Sequence, residues 1–79
     1  MPKLRRISGN ELLKLLINKG FVFIRQKGSH TRVVYDSGNN KHYLTVPLHS
    51  ELDRGTLRSI MRSAEKCLAE EDIREIFYK

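Results

Sequence analysis

The stretch RQKGSHTR, residues 25–32, contains the side chains of this chain that are best suited to chemistry. Histidine as a residue type has a pKa of about 6.5, so His30 is a residue that can accept or donate a proton near neutral pH. Arg25, Lys27 and Arg32 are cations that can stabilise negative charge developing on a phosphate. Gly28 can adopt backbone conformations that bring amide hydrogens close to a phosphate. The stretch therefore predicts phosphate chemistry at His30.

RNA is a phosphate ester for which this set of groups would suffice. It carries its own nucleophile, the 2′-OH, so a protein needs only to move protons and to stabilise the charge on phosphorus. The residues favour metal-independent RNA cleavage with His30 as a proton carrier and no cofactor. Taken alone, they leave one alternative open, a strand-end histidine whose ring is simply solvated.

Other chemistries fit the same residues less well. Ser29 and His30 are adjacent, and adjacent strand residues point to opposite faces, which disfavours a Ser–His nucleophile pair. The spacing of His30, His42, His49 and Cys67 matches no compact zinc pattern, so we predict no metal site. His49 follows a proline in a predicted loop, from which it could reach a substrate or remain an exposed loop residue. The sequence lacks the glycine-rich phosphate loop of nucleotide hydrolases.

A second group of cations recurs at every fourth residue of a predicted helix, at Arg54, Arg58 and Arg62. At about 1.5 Å per residue these side chains would stand roughly 6 Å apart, a spacing that could follow a nucleic-acid backbone. The alternative is a solvated face paired with nearby carboxylates. The candidate RNA- or phosphate-binding residues are therefore Arg25, Lys27, Gly28, Ser29, Arg32, His49, Arg54 and Arg58.

Charge is distributed unevenly along the 79 residues, whose net charge is +6. Residues 1–35 contain eight lysines and arginines against the single Glu11, whereas residues 63–79 contain three against five acidic residues. This asymmetry favours a polyanionic partner. No apolar run approaches the roughly 18 residues of a membrane span, and the single cysteine fits a reducing compartment. We therefore expect one cytoplasmic domain over residues 1–79.

The order of predicted elements is α-β-β-β-α with a short extra helix. Ser8 and Glu11 form a capping-box pattern, which predicts a helix over residues 9–19 that ends before Gly20. Three strands are predicted over residues 21–27, 30–36 and 41–46, joined by turns at 28–29 and 36–40. They should form an antiparallel sheet with both main helices on one face. This is a two-layer α+β sandwich like that of double-stranded-RNA-binding domains.

Asp53 is the predicted N-cap of the second main helix. Its apolar face continues at helical spacing as far as Leu68, and the segment AEKCLAEEDI, which lacks a glycine, would allow the helix to continue farther before it breaks. A last helix is predicted from about Ala69, with acidic residues in its first turn.

Three motifs in the same order, GFVFIRQKGSH (20–30), TVPLH (45–49) and GTLRSIMR (55–62), resemble the HicA family of bacterial and archaeal toxins. The resemblance covers nearly the whole chain. It implies an mRNA interferase on a double-stranded-RNA-binding-like fold, with the histidine of the GSH motif, His30, as the catalytic residue. Gly28 and Ser29 would shape the turn of that motif. It also implies a partner antitoxin, HicB, that covers the active site, with any contact to DNA made only through that partner.

Two other functions remain open from the sequence. A non-catalytic RNA-binding module would show salt-dependent binding without strand scission. An interaction protein would use the basic face to attract an acidic partner. Even for a ribonuclease, the second proton-transfer group could be water, Lys27 or His49.

Overall fold

The computed structural model describes residues 3–78 and has the predicted order of elements. The helices and strands are α1 Gly9–Asn18, β1 Val22–Lys27, β2 His30–Asp36, β3 Lys41–Pro47, α2 Arg54–Ala64 and α3 Glu70–Phe77. The strands form one antiparallel sheet in the order β1-β2-β3. The predicted α+β class and element order are confirmed, and the strand boundaries differ from the prediction by at most one residue. Pro47 ends β3, which is an edge strand and therefore tolerates a residue without an amide hydrogen.

Helix α1 begins at the predicted capping box. The amide of Glu11 donates to Ser8 Oγ at 3.1 Å, and the amide of Ser8 donates to Glu11 Oε1 at 3.0 Å. These two hydrogen bonds satisfy amides that the first helical turn leaves free. The bond from the Ser8 amide to the carboxylate is the largest cause that lowers the pKa of Glu11. Gly20 follows the helix with a positive φ of 117°, a conformation that a glycine adopts at little cost.

The hydrophobic core lies between one face of the sheet and the helices. Val33 of β2 and Val46 of β3 are fully buried there, as are Leu12 and Leu16 of α1. The hydroxyl of Thr31 is also buried on this face, and its oxygen has no hydrogen-bond partner within residues 3–78. The remaining buried apolar residues are Ile7, Phe21, Leu44, Leu52, Leu57, Ile60, Met61, Ala64, Leu68, Ile73, Ile76 and Phe77. The other face of the sheet is left open to solvent.

Helix α2 ends at Ala64, so the expectation of a helix extending toward Leu68 is wrong. After Ala64 the α-helical hydrogen bonds give way to turns with three-residue spacing. The amides of Lys66 and Cys67 donate to the carbonyls of Ser63 and Ala64 at 3.2 and 3.1 Å. Leu68 is nevertheless buried, and this burial is why its spacing matched the helical face. At the other end of α2, Asp53 occupies the N-cap position as predicted, but its side chain makes no capping hydrogen bond.

Acidic residues of helix α3 form ion pairs with Lys19, the C-cap residue of α1. The Lys19 ammonium lies 2.7 Å from Glu75 Oε2 and 3.2 Å from Asp72 Oδ1. These contacts raise the pKa of Lys19, with the hydrogen bond to Glu75 the larger cause. Two of the acidic residues of the C-terminal segment are therefore used in packing α3 against α1. Of the helices within residues 3–78, none combines the length and apolarity needed to cross a bilayer.

Candidate functional site

The β1–β2 hairpin places His30 at the first position of the central strand. Lys27 lies directly opposite His30 on β1, and Pro47 lies opposite it on β3. The two-residue turn between β1 and β2 needs a left-handed backbone at Gly28, whose φ is +60°. The turn is also held from the β3 side, since the amide of Leu48 donates to the Ser29 carbonyl at 2.6 Å. His30 is thus exposed on a backbone that is fixed on both sides.

The register assigns the basic side chains to the open face of the sheet. Thr31 and Val33 are buried beneath the helices, so the alternating residues His30 and Arg32 point to the opposite face. Residues directly opposite each other on antiparallel strands share a face, which places Lys27 beside His30 and Arg25 beside Arg32. Two neighbouring rows of this face therefore carry the histidine and three cations.

These residues line a single open pocket of about 300 Å³. Its lining consists of Arg25, Lys27, His30, Arg32 and Thr45. Within residues 3–78, none of the three cations of the pocket forms an ion pair with a carboxylate. Their charge is thus available to an anion from solution. An arrangement of this kind can hold a phosphate group against the imidazole of His30.

A bulge in β1 sets which residues join this face. Phe23 pairs with Val33, but the next pair is Arg25 with Arg32, so Ile24 is an extra residue in β1. The insertion moves Phe23 to the helix-covered side of the sheet and leaves Arg25 on the open side. Strict alternation along β1 from Arg25 would have placed Phe23 on the open face instead. All six residues of β1 are exposed, because the helices pack toward β3 and do not extend over β1, although they lie on the same side of the sheet as Phe23.

Arg32 is held by two neighbours on β3. Its Nη1 donates to Thr45 Oγ1 at 3.0 Å, and its guanidinium carbon lies 5.0 Å from the centre of the Tyr43 ring. The second contact is a cation–π interaction. Together the two contacts hold the guanidinium in one orientation. Sequence reasoning missed Thr45 and Tyr43. Counting back along β3 from Pro47 in a hairpin register would have placed both on the face of His30.

His49 and Ser29 do not line the pocket. The His49 side chain is exposed in the loop after β3, and its carbonyl accepts from the amide of Gly9 at 2.9 Å. Because Leu48 bonds to Ser29, the loop that carries His49 begins beside the turn that carries His30. Ser29 contributes its carbonyl to this contact and is otherwise exposed.

Arg54 and Arg58 lie elsewhere on the molecule. Helix α2 covers the face of the sheet opposite to His30, and its arginines project from the outer side of that helix. Arg58 and Arg62 line a groove of about 480 Å³, and Arg54 lines a separate basic pocket of about 560 Å³ with residues of the N-terminal segment. Neither arginine contributes to the pocket of His30. Within residues 3–78, the alternative that α2 arginines pair with Glu51, Asp53 or Glu65 is also not observed.

The other histidine and the cysteine lie apart from the site. His42 pairs with Tyr35 on the helix-covered side of the sheet and is half-buried. Cys67 is partly buried in the turn after α2, and this burial raises the pKa of its thiol. Across residues 3–78, no three His, Cys, Asp or Glu side chains cluster as metal ligands would.

The comparison with protein families gives a match over most of the chain. A family model described as the HicA toxin of bacterial toxin–antitoxin systems matches residues 9–65, which include α1, the whole sheet and α2. A search of curated proteins finds no match to the chain.

Proposed function

This chain belongs to the HicA toxin family of bacterial toxin–antitoxin systems, and on that premise we propose that it is a metal-independent endoribonuclease that cleaves messenger RNA. Membership in the family gives the protein the role of a toxin with an antitoxin partner. The proposal adds the reaction, the substrate and the catalytic residue, His30. The single observation that carries it is the placement of His30 between Lys27 and Pro47, beside the Arg25–Arg32 row, in an open pocket.

The proposed reaction is a transesterification. The 2′-oxygen of one nucleotide attacks the adjacent phosphorus, the new O2′–P bond forms, and the P–O5′ bond breaks. The 2′-OH loses its proton and the departing 5′-oxygen gains one. His30 carries out one of these two proton transfers, and the products are a 2′,3′-cyclic phosphate and a free 5′-OH.

The cations of the pocket stabilise the additional negative charge of the phosphorane. Lys27 is the closest of them along the register, since it faces His30 directly, whereas Arg25 and Arg32 occupy the next row. Arg32 is already oriented by Thr45 and Tyr43, so little ordering remains when it meets a phosphate. The second proton carrier is Lys27, His49 or water, and substitutions at Lys27 and His49 distinguish among them.

The antitoxin partner is proposed to be a HicB-like protein that covers the open face of the sheet. An antitoxin with acidic side chains would be attracted to the unpaired cations around His30 and would exclude RNA from them. The toxin would act in the cytoplasm, where messenger RNA is accessible. DNA would be contacted only through the antitoxin.

A second candidate function is a non-catalytic RNA-binding module. The basic groove along Arg58 and Arg62 favours it, because this groove offers a polyanion a surface that does not involve His30. The two functions make opposite predictions for strand scission.

The test is a cleavage assay with labelled single-stranded RNA in excess EDTA. Wild-type protein is compared with His30→Ala and with His42→Ala, a control histidine on the other face of the sheet. We expect wild type and His42→Ala to cut the RNA and His30→Ala to leave it intact while still binding it. Intact RNA with all three proteins, each binding, would instead establish the RNA-binding module.

A further inference from the structure

An apolar row, exposed on the two outer strands and half-buried on the central strand, crosses the open face of the sheet next to the cations. It consists of Val22 on β1, Val34 on β2 and Tyr43 on β3, which are aligned by the strand register. Val22 is 61% exposed and Tyr43 is 48% exposed. Large apolar side chains left this open on one face indicate a contact surface. The proposed reaction at His30 does not use this row.

The row lies at a defined distance from His30. Along β3, Pro47 faces His30, Thr45 faces Arg32, and Tyr43 faces Val34. Each step is two residues, or roughly 7 Å at about 3.4 Å per residue, so Tyr43 stands roughly 14 Å from the histidine row. Each step is close to the separation of successive phosphates in an extended single strand.

The intervening row is suited to a phosphate. Arg25 and Arg32 lie opposite each other there, and the Arg32 guanidinium is held between Thr45 Oγ1 and the ring of Tyr43. Along the strand direction, the open face therefore presents first a histidine with a cation, then two arginines, and then an exposed aromatic ring. Cationic grooves with exposed aromatic rings are the pattern by which proteins bind single-stranded nucleic acid, with phosphates on the cations and bases stacked on the rings.

We propose that Tyr43 is a stacking platform for a nucleobase of single-stranded RNA, located two nucleotides from the phosphate held at His30. The phosphate between them contacts Arg25 and Arg32. Val22 and Val34 extend the platform across the sheet as apolar contacts to the same base. The proposal rests on the proposed function for the phosphate at His30, and it adds a base-binding residue that requires an unpaired base, since a base paired in a duplex cannot reach the ring.

In the toxin freed from its antitoxin, the chemistry of the face favours RNA over another protein as the occupant of this row. The apolar row is bordered on one side by the Arg25–Arg32 row and on the other by the pair of Asp36 and Lys41. The Tyr43 ring itself carries a guanidinium against it, so a ligand that stacks on the ring also meets a positive charge. A nucleotide supplies both the flat base and the phosphate that this arrangement requires.

The test measures binding separately from cleavage. A fluorescent single-stranded RNA of eight nucleotides is titrated in the His30→Ala background, and its anisotropy is followed for the parent, Tyr43→Ala, Tyr43→Phe and the control His42→Ala. Alanine should weaken binding by roughly 5- to 150-fold, because stacking contributes about 1–3 kcal/mol per base and each 1.4 kcal/mol is about tenfold. Phenylalanine should bind within about threefold of the parent, since it keeps the ring, and His42→Ala should bind as the parent does. Circular dichroism establishes that all four proteins are folded.

Three results would overturn the platform. In the first, Tyr43→Ala binds the single strand as tightly as the parent does. In the second, Tyr43→Phe binds as weakly as Tyr43→Ala. In the third, Tyr43→Ala weakens binding of a blunt duplex as much as it weakens binding of the single strand. If Tyr43→Ala binds RNA normally but loses the antitoxin, the row is a protein interface and the proposal fails. Failure of the proposed function is a distinct result, because it appears as RNA cleavage by His30→Ala or as no cleavage by wild type.

Discussion

Lys27 and His30 lie directly opposite each other as the pair that closes the β1–β2 hairpin. Only the turn residues Gly28 and Ser29 separate them along the chain, so the relative position of the ammonium and the imidazole is set by one tight turn. Because these two groups share a face and a pocket, the charge of Lys27 lies where the proposed phosphorane would form.

Removal of this charge should slow cleavage much more than it weakens binding. We expect Lys27→Ala to lower the single-turnover rate roughly 100-fold or more, the usual effect of losing one group that stabilises transition-state charge. Lys27→Arg should retain part of the rate, because it keeps the charge. Lys41→Ala is the matched control, since Lys41 is a cation at the far end of the same face, opposite Asp36. Equal losses for Lys27→Ala and Lys41→Ala would show that only general attraction of RNA is involved.

The hairpin and its pocket were largely predictable from sequence. The Gly28-Ser29 turn fixes the pairing of Lys27 with His30, and strand alternation then places Arg32 on the same face. The bulge at Ile24 was not predictable, because a bulge depends on how β1 twists against β2 rather than on any local residue pattern. Tyr43 and Thr45 were missed for a different reason, because placing them on the face of His30 requires pairing Pro47 with His30 and counting back along β3.

The arginines of α2 show where sequence reasoning ends. Their spacing correctly predicted one exposed helix face, but spacing within a helix does not determine where that face lies relative to the sheet. Helix α2 packs on the side of the sheet away from His30, so Arg54 and Arg58 line other pockets. The end of α2 was misjudged similarly, because Leu68 is buried from a turn rather than from a helix.

Gly9 fixes α1 against the loop that carries His49. Its amide donates to the His49 carbonyl at 2.9 Å, and a Cβ at this position would overlap the Pro47 carbonyl oxygen. We expect Gly9→Ala to lower the free energy of unfolding by about 1–3 kcal/mol, as overpacking in a close contact does. Gly55→Ala is the control, because its Cβ would lie 3.6 Å from Asp53 Oδ2, an ordinary contact. Urea denaturation should show a lower free energy of unfolding for Gly9→Ala than for wild type, and an unchanged or higher value for Gly55→Ala. Equal free energies of unfolding for the two variants would contradict the close contact at Gly9.

Thr31 carries a buried hydroxyl directly beneath the site. Its Oγ1 has no hydrogen-bond partner within residues 3–78, although the side chain is fully buried next to Val33 and Val46. Thr31→Val keeps the shape and removes the desolvated oxygen, so it should raise the free energy of unfolding by roughly 1 kcal/mol. Thermal unfolding measures this change. A lower melting temperature would mean that the hydroxyl has a partner, such as a bound water.

The capping box makes part of the stability depend on pH. Hydrogen bonds from Ser8 lower the pKa of Glu11 below its ordinary 4.5, so the folded protein favours the charged carboxylate. This contribution is fully present above the unfolded-state pKa and is lost as the pH falls through the lower folded-state value. Glu11→Ala should therefore lower the melting temperature at pH 7, and the difference from wild type should shrink toward pH 3. A difference that is constant from pH 7 to pH 3 would show that the charge of Glu11 does not contribute.

The most direct test of the central claim compares RNA with DNA of the same sequence. Both strands are incubated in excess EDTA with wild-type protein and with His30→Ala, and the ends of the products are identified by mass spectrometry. We predict that wild type cuts only the RNA and leaves 2′,3′-cyclic phosphate ends, because DNA lacks the attacking 2′-OH, and that His30→Ala cuts neither strand. Cleavage of DNA by wild type, or cleavage of RNA by His30→Ala at the wild-type rate, would contradict catalysis by His30 through the 2′-hydroxyl.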